Sequence, residues 1–552
     1  MPSSRSLLAQ TEAITSYFKD VTASVGIDFV HVAAPSGEFH LPEIIGPGAA
    51  LFDYDGDGDL DLYLIQAGGP VVSDTLRQTN QLYRNDLQDG APRFVNVTKQ
   101  AGVGDAGYGM GVATGDIDND GDVDFYVTNF GANALYVNQG NGRFLETGAA
   151  AGVAHAGWGA SAAFADYDGD GLLDLFVTHY VANPVTGNRS CKNPIDRADY
   201  CSPTVFTPTA DTLYRNVDGK RFADVTVAAG LAEAKAAGLG VLAADFDGDE
   251  RIDFFVANDQ SANFLWRNEG DGVFRESGLV SGSAYNAHGM AEASMGVTAS
   301  DFDGDGDVDL FMTHLKTQTN TLYTNDGRGG FTDSTDRARL GSASLVFTGF
   351  GARWFDADND ADLDLFVANG AVVTEPSRIS ASDFPYEQRN QLFILEAAGT
   401  YQEWRGASDD ALAATSTSRG AAFGDLDNDG DIDIVVANAN AAPQILVNAH
   451  DVSSDWFGLD VRLANGRTAL GARVALLQKG RAPLWRRVAR DGSYLSANDP
   501  RAHFGLGAGN DESLRVGVVW PDGQREQWAD VRPGRYLRLM QGEGEPWDSD
   551  AS

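Results

Sequence analysis

The sequence predicts an all-β chain, a seven-bladed β-propeller closed by an N-terminal strand and followed by a small β-sandwich-like domain. Three observations predict it. A nine-residue acidic loop recurs seven times, starting at 53, 116, 166, 245, 301, 356 and 425, with a mean spacing of 62 residues. Each copy joins two short apolar runs of β type. An outer-strand pattern of the type Arg93-Phe-Val-Asn-Val-Thr98 is missing after the last unit and is found instead at the start of the chain, as Tyr17-Phe-Lys-Asp-Val-Thr22. A period of this size with several strands per unit is that of a propeller or a related array.

The loops carry the first chemistry. Positions 1, 3, 5 and 9 are Asp in all seven, and position 4 is always Gly or Asn, which tolerate the left-handed backbone of a tight curl. Four carboxylates and the carbonyl of position 7 supply the oxygens that Ca²⁺ requires, whereas without a cation they would repel one another. The expected cofactor is therefore Ca²⁺, up to seven ions in a structural role. The expected ligand sets are Asp53, Asp55, Asp57, Asp59 and Asp61; Asp116, Asp118, Asp120, Asp122 and Asp124; Asp166, Asp168, Asp170, Leu172 and Asp174; Asp245, Asp247, Asp249, Arg251 and Asp253; Asp301, Asp303, Asp305, Asp307 and Asp309; Asp356, Asp358, Asp360, Asp362 and Asp364; and Asp425, Asp427, Asp429, Asp431 and Asp433. Leu172 and Arg251 enter through their carbonyls. An EF-hand would need a bidentate Glu at position 12 and flanking helices, and neither is present. Glu250 and Ala361 replace Gly at position 6, so those two loops are expected to bind with altered geometry.

Taken in order, each unit has a Gly-rich apolar strand such as Gly109-Met-Gly-Val-Ala-Thr-Gly115, the loop, a second strand, a third strand ending like Leu82-Tyr-Arg-Asn85, and an outer fourth strand. Small residues suit an innermost strand crowded round an axis. The seventh unit stops after Gln444-Ile-Leu-Val-Asn448, and Tyr17–Thr22 would complete it, leaving no unpaired edge. The expected organisation is a tail over 1–16, the propeller over 17–450, a β domain over 451–542 and a tail over 543–552. Within the β domain, Trp456–Leu463, Ala472–Leu477, Leu514–Trp520 and Tyr536–Met540 read as strands. Between Asp455 and Arg538 stand 14 Lys or Arg against nine acidic residues, so electrostatics favour docking on the acidic propeller.

The net charge of −39 comes largely from the loops, which hold 33 of the 79 acidic residues; seven Ca²⁺ would bring it to about −25, still adverse to nucleic acid. No apolar run reaches the 18 residues of a membrane span, and Met1 to Tyr17 has no signal-type stretch, so a signal is expected to be absent or already removed. Cys191 and Cys201 are either free thiols or a disulfide closing a short polar loop; the second reading, with loops suited to millimolar Ca²⁺, places the protein outside the cytoplasm, secreted or periplasmic. A monomer is expected.

The loops with their Gly-rich strands resemble the FG-GAP/VCBS repeats of integrin α-subunit propellers. Asn465-Gly-Arg-Thr-Ala-Leu-Gly-Ala-Arg473, Ser493-Tyr-Leu-Ser-Ala-Asn-Asp499, His503-Phe-Gly-Leu-Gly507 and Trp520-Pro-Asp-Gly523 look like the ASPIC/UnbV domain. The combination is similar to that of the cartilage acidic protein family and its bacterial relatives, which include extracellular matrix proteins and secreted bacterial proteins. The resemblance implies the fold and calcium strongly, an activity only weakly.

On the face opposite the loops, long connections run from Gln66 to Gln81, His179 to Thr212 and Asn369 to Gln391. Five residues after each loop stands a polar residue, His179 and His314 where other units have Asn or Gln. With His155, His288, Glu43, Glu292 and Arg419, and with Lys316 and Trp158 nearby, these residues are the candidates for a polar pocket. Two functions follow. One is a calcium-binding protein that recognises a protein, glycan or small-molecule ligand on this face. The other is a calcium-stabilised enzyme of secondary metabolism, a cyclase, lyase or hydrolase, using the His/Glu-rich mouth for acid–base chemistry.

Overall fold

The computed structural model describes residues 16–68, 78–187, 189–193, 195–374, 384–396, 399–408, 410–450, 455–478, 480–507 and 513–547. Its architecture is all-β. In the first repeat, Ala49–Phe52, Asp61–Leu64, Gln81–Asn85 and Phe94–Asn96 form one antiparallel sheet in that order. The same four-strand order recurs through the described repeats; the second and third sheets are also joined where Ala156–Trp158 pairs with Phe130–Ala132. Near the C-terminal end of the series, Ser418–Gly424, Asp433–Asn438 and Gln444–Asn448 are completed by Phe18–Asp20, in the register Phe18↔Asn448, Lys19↔Val447 and Asp20↔Leu446. Successive innermost strands lie side by side, and the last, Ser418–Gly424, lies against the first, Ala49–Phe52.

The cores sit between neighbouring sheets, because strands covered on both faces need apolar residues on both. Phe52, Tyr63, Phe125 and Tyr136 fill the wedge between the first two sheets; Leu51, Leu62, Ala422 and Val435 fill the one between last and first. Outer strands such as Phe94–Asn96 bury only their first residue. They lead into one-turn helices such as Thr98–Ala101 and Gly278–Ser281, too short to be legible by period in the sequence.

Beyond Asp455 the four expected strands are present within a residue of their anticipated ends, and Leu484–Arg487, Ala502–Gly507 and Arg525–Val531 join them. They make two sheets, one containing the parallel pair Asp455–Arg462 and Tyr536–Met540, round a core of Phe457, Val474, Phe504, Val516 and Trp520. Glu545–Pro546, expected in a terminal tail, pairs with Glu526 and Gln527, and Trp547 packs over Gly517.

This domain sits on the loop-bearing side and sends Asp491–Asp499 down the axis. Ala243 N donates to Asp491 Oδ2 (2.6 Å), Val297 N to Ser493 O (2.9 Å), Val112 N to Leu495 O (3.1 Å), Leu495 N to Ser161 Oγ (3.2 Å), and Leu51 N and Ala497 N exchange bonds with Ala497 O and Ala49 O (3.1 and 3.0 Å). Five of the sheets thus bond one segment, and the last repeat joins them through Asp499 N to Phe423 O (3.0 Å). The small residues of the inner strands are what admit it: a Cβ on Gly48 would fall 1.8 Å from Leu495 O. Crowding at the axis is as anticipated, and it has two sources: the segment, and neighbouring inner strands, since a Cβ on Gly351 would fall 2.6 Å from Ala421 N.

Candidate metal centres and the opposite face

Each acidic loop folds by bonding its own amides. The position-1 carboxylate accepts from the position-6 amide, as in Gly58 N to Asp53 Oδ2 (3.0 Å), Gly121 N to Asp116 Oδ2 (3.0 Å) and Ala361 N to Asp356 Oδ2 (2.8 Å). The position-9 carboxylate is buried and ties two strands: Asp124 accepts from Ile117 N (2.9 Å) and from Asn138 N in the third strand (2.7 Å). That Asn reaches the neighbouring repeat, its Nδ2 donating to Tyr54 O (2.9 Å). Asn216 to Ile117 O, Asn268 to Tyr167 O, Asn325 to Phe246 O, Asn448 to Ala357 O and Asn85 to Leu426 O do likewise.

The carboxylates converge. One oxygen each from Asp116, Asp118 and Asp124 lies within 4.8 Å of the others, and the same holds for Asp53, Asp55 and Asp57, Asp166, Asp168 and Asp174, Asp245, Asp247 and Asp249, and Asp301, Asp303 and Asp309. Asp118, Asp247, Asp358 and Asp427, all at position 3, each keep a buried Oδ1 with no hydrogen-bond partner among the described residues. Burial pushes Asp124, Asp174, Asp253 and Asp309 up to about 8 and Asp356 to about 7, with neighbouring carboxylates adding to the rise. Hard oxygens, orphaned acceptors and mutual repulsion all fit a hard cation such as Ca²⁺.

The two departures at position 6 acquire a physical reading. That position lies in the left-handed region in all seven loops, at φ 93° for Gly58 and 99° for Gly430, but also 67° for Glu250 and 86° for Ala361. An L side chain there is strained by about 1–2 kcal/mol. Ala361→Gly should therefore raise stability by roughly 1 kcal/mol in denaturant titration. An unchanged or lower midpoint would mean that the loop does not feel the Cβ.

The C-terminal domain meets these loops directly. Tyr536 Oη donates to Asp425 Oδ2 (2.8 Å), Gly505 N to Asp356 Oδ2 (3.2 Å) and Gly507 N to Asn359 O (2.7 Å); Arg467 Nη2 is 3.8 Å from Asp166 Oδ2, and Arg501 bonds Asn428 and the Asp425 carbonyl. Arg467 and Arg501 are two of the domain's basic residues that meet this acidic face.

At the other end, the axis segment terminates in a core of Tyr494, Ile44, Tyr108, Phe130, Trp158, Tyr180, Phe350 and Tyr200. The candidate residues separate here. Arg419 is fully buried: it donates to the carbonyls of Ile44, Gly370, Ser418 and Ala371 and stacks on Phe350, tying the chain at three repeats. Glu43 is buried, accepting from Ser36 Oγ (2.7 Å) and Tyr200 Oη (3.3 Å). Cys191 and Cys201 form a disulfide in the His179–Thr212 connection, and beside it Asp199 accepts from Tyr386 Oη and Thr374 N of the Asn369–Gln391 connection. The stretches 69–77 and 375–383 of the long connections lie outside the described residues.

His179 is buried with Nε2 3.0 Å from Thr212 Oγ1, and the exposed His155 crosses it edge-on at 4.7 Å. His314 is 1% exposed, and its Nε2 stands 3.6 Å from Glu292, itself held by Thr321. His288 and Lys316 are exposed. The histidines thus form two local groups on the third and fifth sheets.

Burial lowers His314 to about 4 and His179 to about 3. A depressed folded pKa means that unfolding takes up protons, so the stability is present above about pH 6.5 and is lost as pH falls toward 4, by roughly 3 kcal/mol for one such His. His314→Asn should flatten that fall between pH 7.5 and pH 5 in saturating calcium, as read from urea midpoints. Parallel curves for the two proteins would show that His314 takes no part in it.

Comparison with known proteins agrees with the repeats. An FG-GAP-like repeat model matches residues 53–127, 116–177, 245–312 and 301–367, and an ASPIC and UnbV model matches 462–546. The chain is 28% identical over 323 residues to cartilage acidic protein 1 of Mus musculus, covering 57% of this chain and 46% of that one; for the Homo sapiens protein the figures are 28%, 57% and 45%. It spans about half the length of the curated relatives it matches. Among solved structures, similarity extends to a lectin of Agrocybe aegerita that recognises non-reducing terminal N-acetylglucosamine (16% identity, TM-score 0.39, 73% of this chain and 94% of that one) and to the BP39L lectin of Burkholderia pseudomallei (12%, 0.43, 73% and 96%).

Proposed function

The chain is an FG-GAP repeat protein with a C-terminal ASPIC and UnbV domain, related to cartilage acidic protein, and from that premise we propose that it is an extracytoplasmic, calcium-stabilised, seven-bladed propeller that binds a protein or glycan on the face opposite its acidic loops. The observation that carries the calcium is the convergence of carboxylate oxygens within 4.8 Å, with buried acceptors left over. Positions 1, 3, 5 and 9 would hold each ion with the carbonyl of position 7, and the ion would neutralise charge that burial otherwise makes costly. Ring closure is supported by Phe18–Asp20 completing the last sheet and by Asn85 reaching Leu426 across the junction of last and first repeats. The Cys191–Cys201 disulfide supports an oxidising compartment.

Binding, in preference to chemistry, is supported by the filled axis. Tyr494 and its aromatic neighbours occupy the place where a deep pocket would have been, and Arg419 and Glu43 are committed inside the protein. What remains on that side is outer surface, including His155, His288, Lys316 and the long connections. The test is a glycan array together with an extracellular-protein array, probed with and without calcium. The reading expects calcium-dependent binding that His155→Ala or His288→Ala weakens. Binding indifferent to both variants, or mapped to the C-terminal domain, overturns it.

One observation favours the enzyme reading: the buried ring of His314 with its Nε2 3.6 Å from Glu292. On that reading the double variant His179→Asn/His314→Asn, in calcium-saturated protein, abolishes conversion of a metabolite pool followed by mass spectrometry. Identical product profiles remove the two histidines from any chemistry.

A further inference from the structure

The long connection of the third repeat, His179 to Thr212, carries a hairpin on the face opposite the acidic loops. Cys191–Lys192 pairs with Ala198–Asp199, Asn193 N donates to Arg197 O (2.9 Å) and Asp196 N to Asn193 O (3.0 Å), and the Cys191–Cys201 disulfide closes its base. Its inner side is anchored by a buried carboxylate. Asp199 accepts from Tyr200 N (3.0 Å), Thr374 N (2.8 Å), Tyr386 Oη (3.0 Å) and Asn193 Nδ2 (3.3 Å). Tyr200 continues into the axial core, where it meets Phe39 edge-on at 5.4 Å and donates to Glu43. A disulfide, a carboxylate with four donors and an aromatic anchor fix the hairpin before any partner arrives, which spares the ordering entropy that a flexible loop loses on binding.

The outer side has a different composition. Arg189, Lys192 and Arg197 are exposed against one exposed carboxylate, Asp196, which pairs with Lys192 (2.7 Å); the other two acids of the connection, Asp199 and Asp211, are buried. In a chain of net charge −39 this is a basic outcrop. Exposed aliphatic side chains accompany it. Ile195 lies in the hairpin turn, Val205 in the short turn Pro203–Val205, and Val373 next to the Thr374 amide that Asp199 holds.

We propose that this stapled hairpin is the recognition element of the opposite face, and that its partner is a protein segment in which acidic residues alternate with apolar ones, an inference that rests on the reading of that face as the binding surface and chooses between its two partner classes. Carboxylates of such a segment accept paired bonds from the guanidinium groups of Arg189 and Arg197. Its apolar side chains cover Ile195, Val205 and Val373. Aliphatic groups beside a charged rim follow the arrangement of a protein interface, an apolar centre with a polar edge, which a neutral sugar does not match.

The experiment uses the full chain saturated with calcium. A displayed library of random peptides is selected on wild type, and the recovered peptides are measured by fluorescence anisotropy against wild type, Arg189→Glu/Arg197→Glu and Ile195→Ser, with a heparin oligosaccharide as a polyanion that lacks apolar side chains. The selected peptides should be enriched in Asp and Glu interspersed with Leu, Ile, Val or Phe. Their affinity should fall by about tenfold or more in the charge-reversed variant and should weaken as salt is raised. Ile195→Ser should weaken it too, and both variants should melt as wild type does, because the three side chains are exposed. Peptides without acidic enrichment, binding that both variants retain, or binding of the heparin oligosaccharide where the peptides fail, overturns the proposal. Affinity lost in His155→Ala or His288→Ala but kept in the hairpin variants leaves the face as the binding surface and removes the hairpin from it; affinity lost in none of the four variants removes both.

Discussion

Chelating calcium should lower the melting temperature far more than any single substitution. A ligand that binds only the folded state stabilises by RT ln(1 + [L]/Kd), about 2.7 kcal/mol per site at a hundredfold excess over Kd, so seven independent sites would contribute roughly 19 kcal/mol. The metal-free protein carries a second penalty whose sign can be worked out. Asp124, Asp174, Asp253 and Asp309 are pushed up to about 8 chiefly by burial, from an ordinary value near 4 in the unfolded chain. Groups with a raised folded pKa bind more protons folded than unfolded, so their contribution is fully present below about pH 4 and is lost as pH rises through 8. The drop caused by chelator should accordingly be larger at pH 8.5 than at pH 6. It should also loosen the C-terminal domain, which is fastened to the loops at Asp425, Asp356 and Asn359. Scanning calorimetry at the two pH values, with metal content verified, decides the matter; an unchanged melting curve after calcium removal would refute it.

The repeats were legible because their chemistry is local. Asp at positions 1, 3, 5 and 9 and Gly or Asn at position 4 are required by a curl nine residues long, and every copy shows its requirement in one glance at the sequence; Asn119, Asn359 and Asn428 do adopt positive φ there. The displaced outer strand was legible for the same reason, as a repeat unit found at the wrong end. The axis segment was not. Its contacts with the inner strands are mainly backbone amides and carbonyls, which any residue possesses, so Ser493–Asp499 carries no pattern announcing that it will sit among Ala49, Val112 and Val297. The one available signal, the density of Gly and Ala in the inner strands, points to crowding round the axis without saying what occupies it. Likewise, grouping His155, His179, His288 and His314 on one face followed from register, but register says nothing of burial. His179 and His314 point into protein while His155 and His288 do not, and Arg419 serves as a many-handed donor to carbonyls.

Deleting Tyr17 to Thr22 should be the most damaging small truncation, whereas deleting residues 1–15 should leave the melting curve of the full chain. Tyr17 and Phe18 are 3% and 1% exposed, and burying two such aromatic side chains is worth about 2–3 kcal/mol each. Tyr17 also donates through Oη to Asp358 Oδ2 (3.2 Å), stacks on His450 at 4.8 Å and meets Trp404 edge-on at 4.9 Å, so its loss is felt in the sixth acidic loop as well. The backbone matters as much. Val21 N donates to Ile445 O (2.9 Å) and Ile445 N to Thr22 Oγ1 (2.8 Å); without them Gln444–Asn448 becomes an open sheet edge with unpaired donors and acceptors. A little further on, Phe94 N donates to Val25 O (2.7 Å), which ties the same segment to the first sheet. The segment therefore spans the junction between last and first repeats, and removing it opens the junction on both sides. A chain starting at Val30 should aggregate or melt without cooperativity even in saturating calcium, and Phe18→Ala, which keeps the backbone, should cost about 3–5 kcal/mol while leaving the protein monomeric. Light scattering and denaturant titration of the three proteins separate the contributions. If the chain starting at Val30 stays monomeric with a wild-type midpoint, the N-terminal strand does not close the ring.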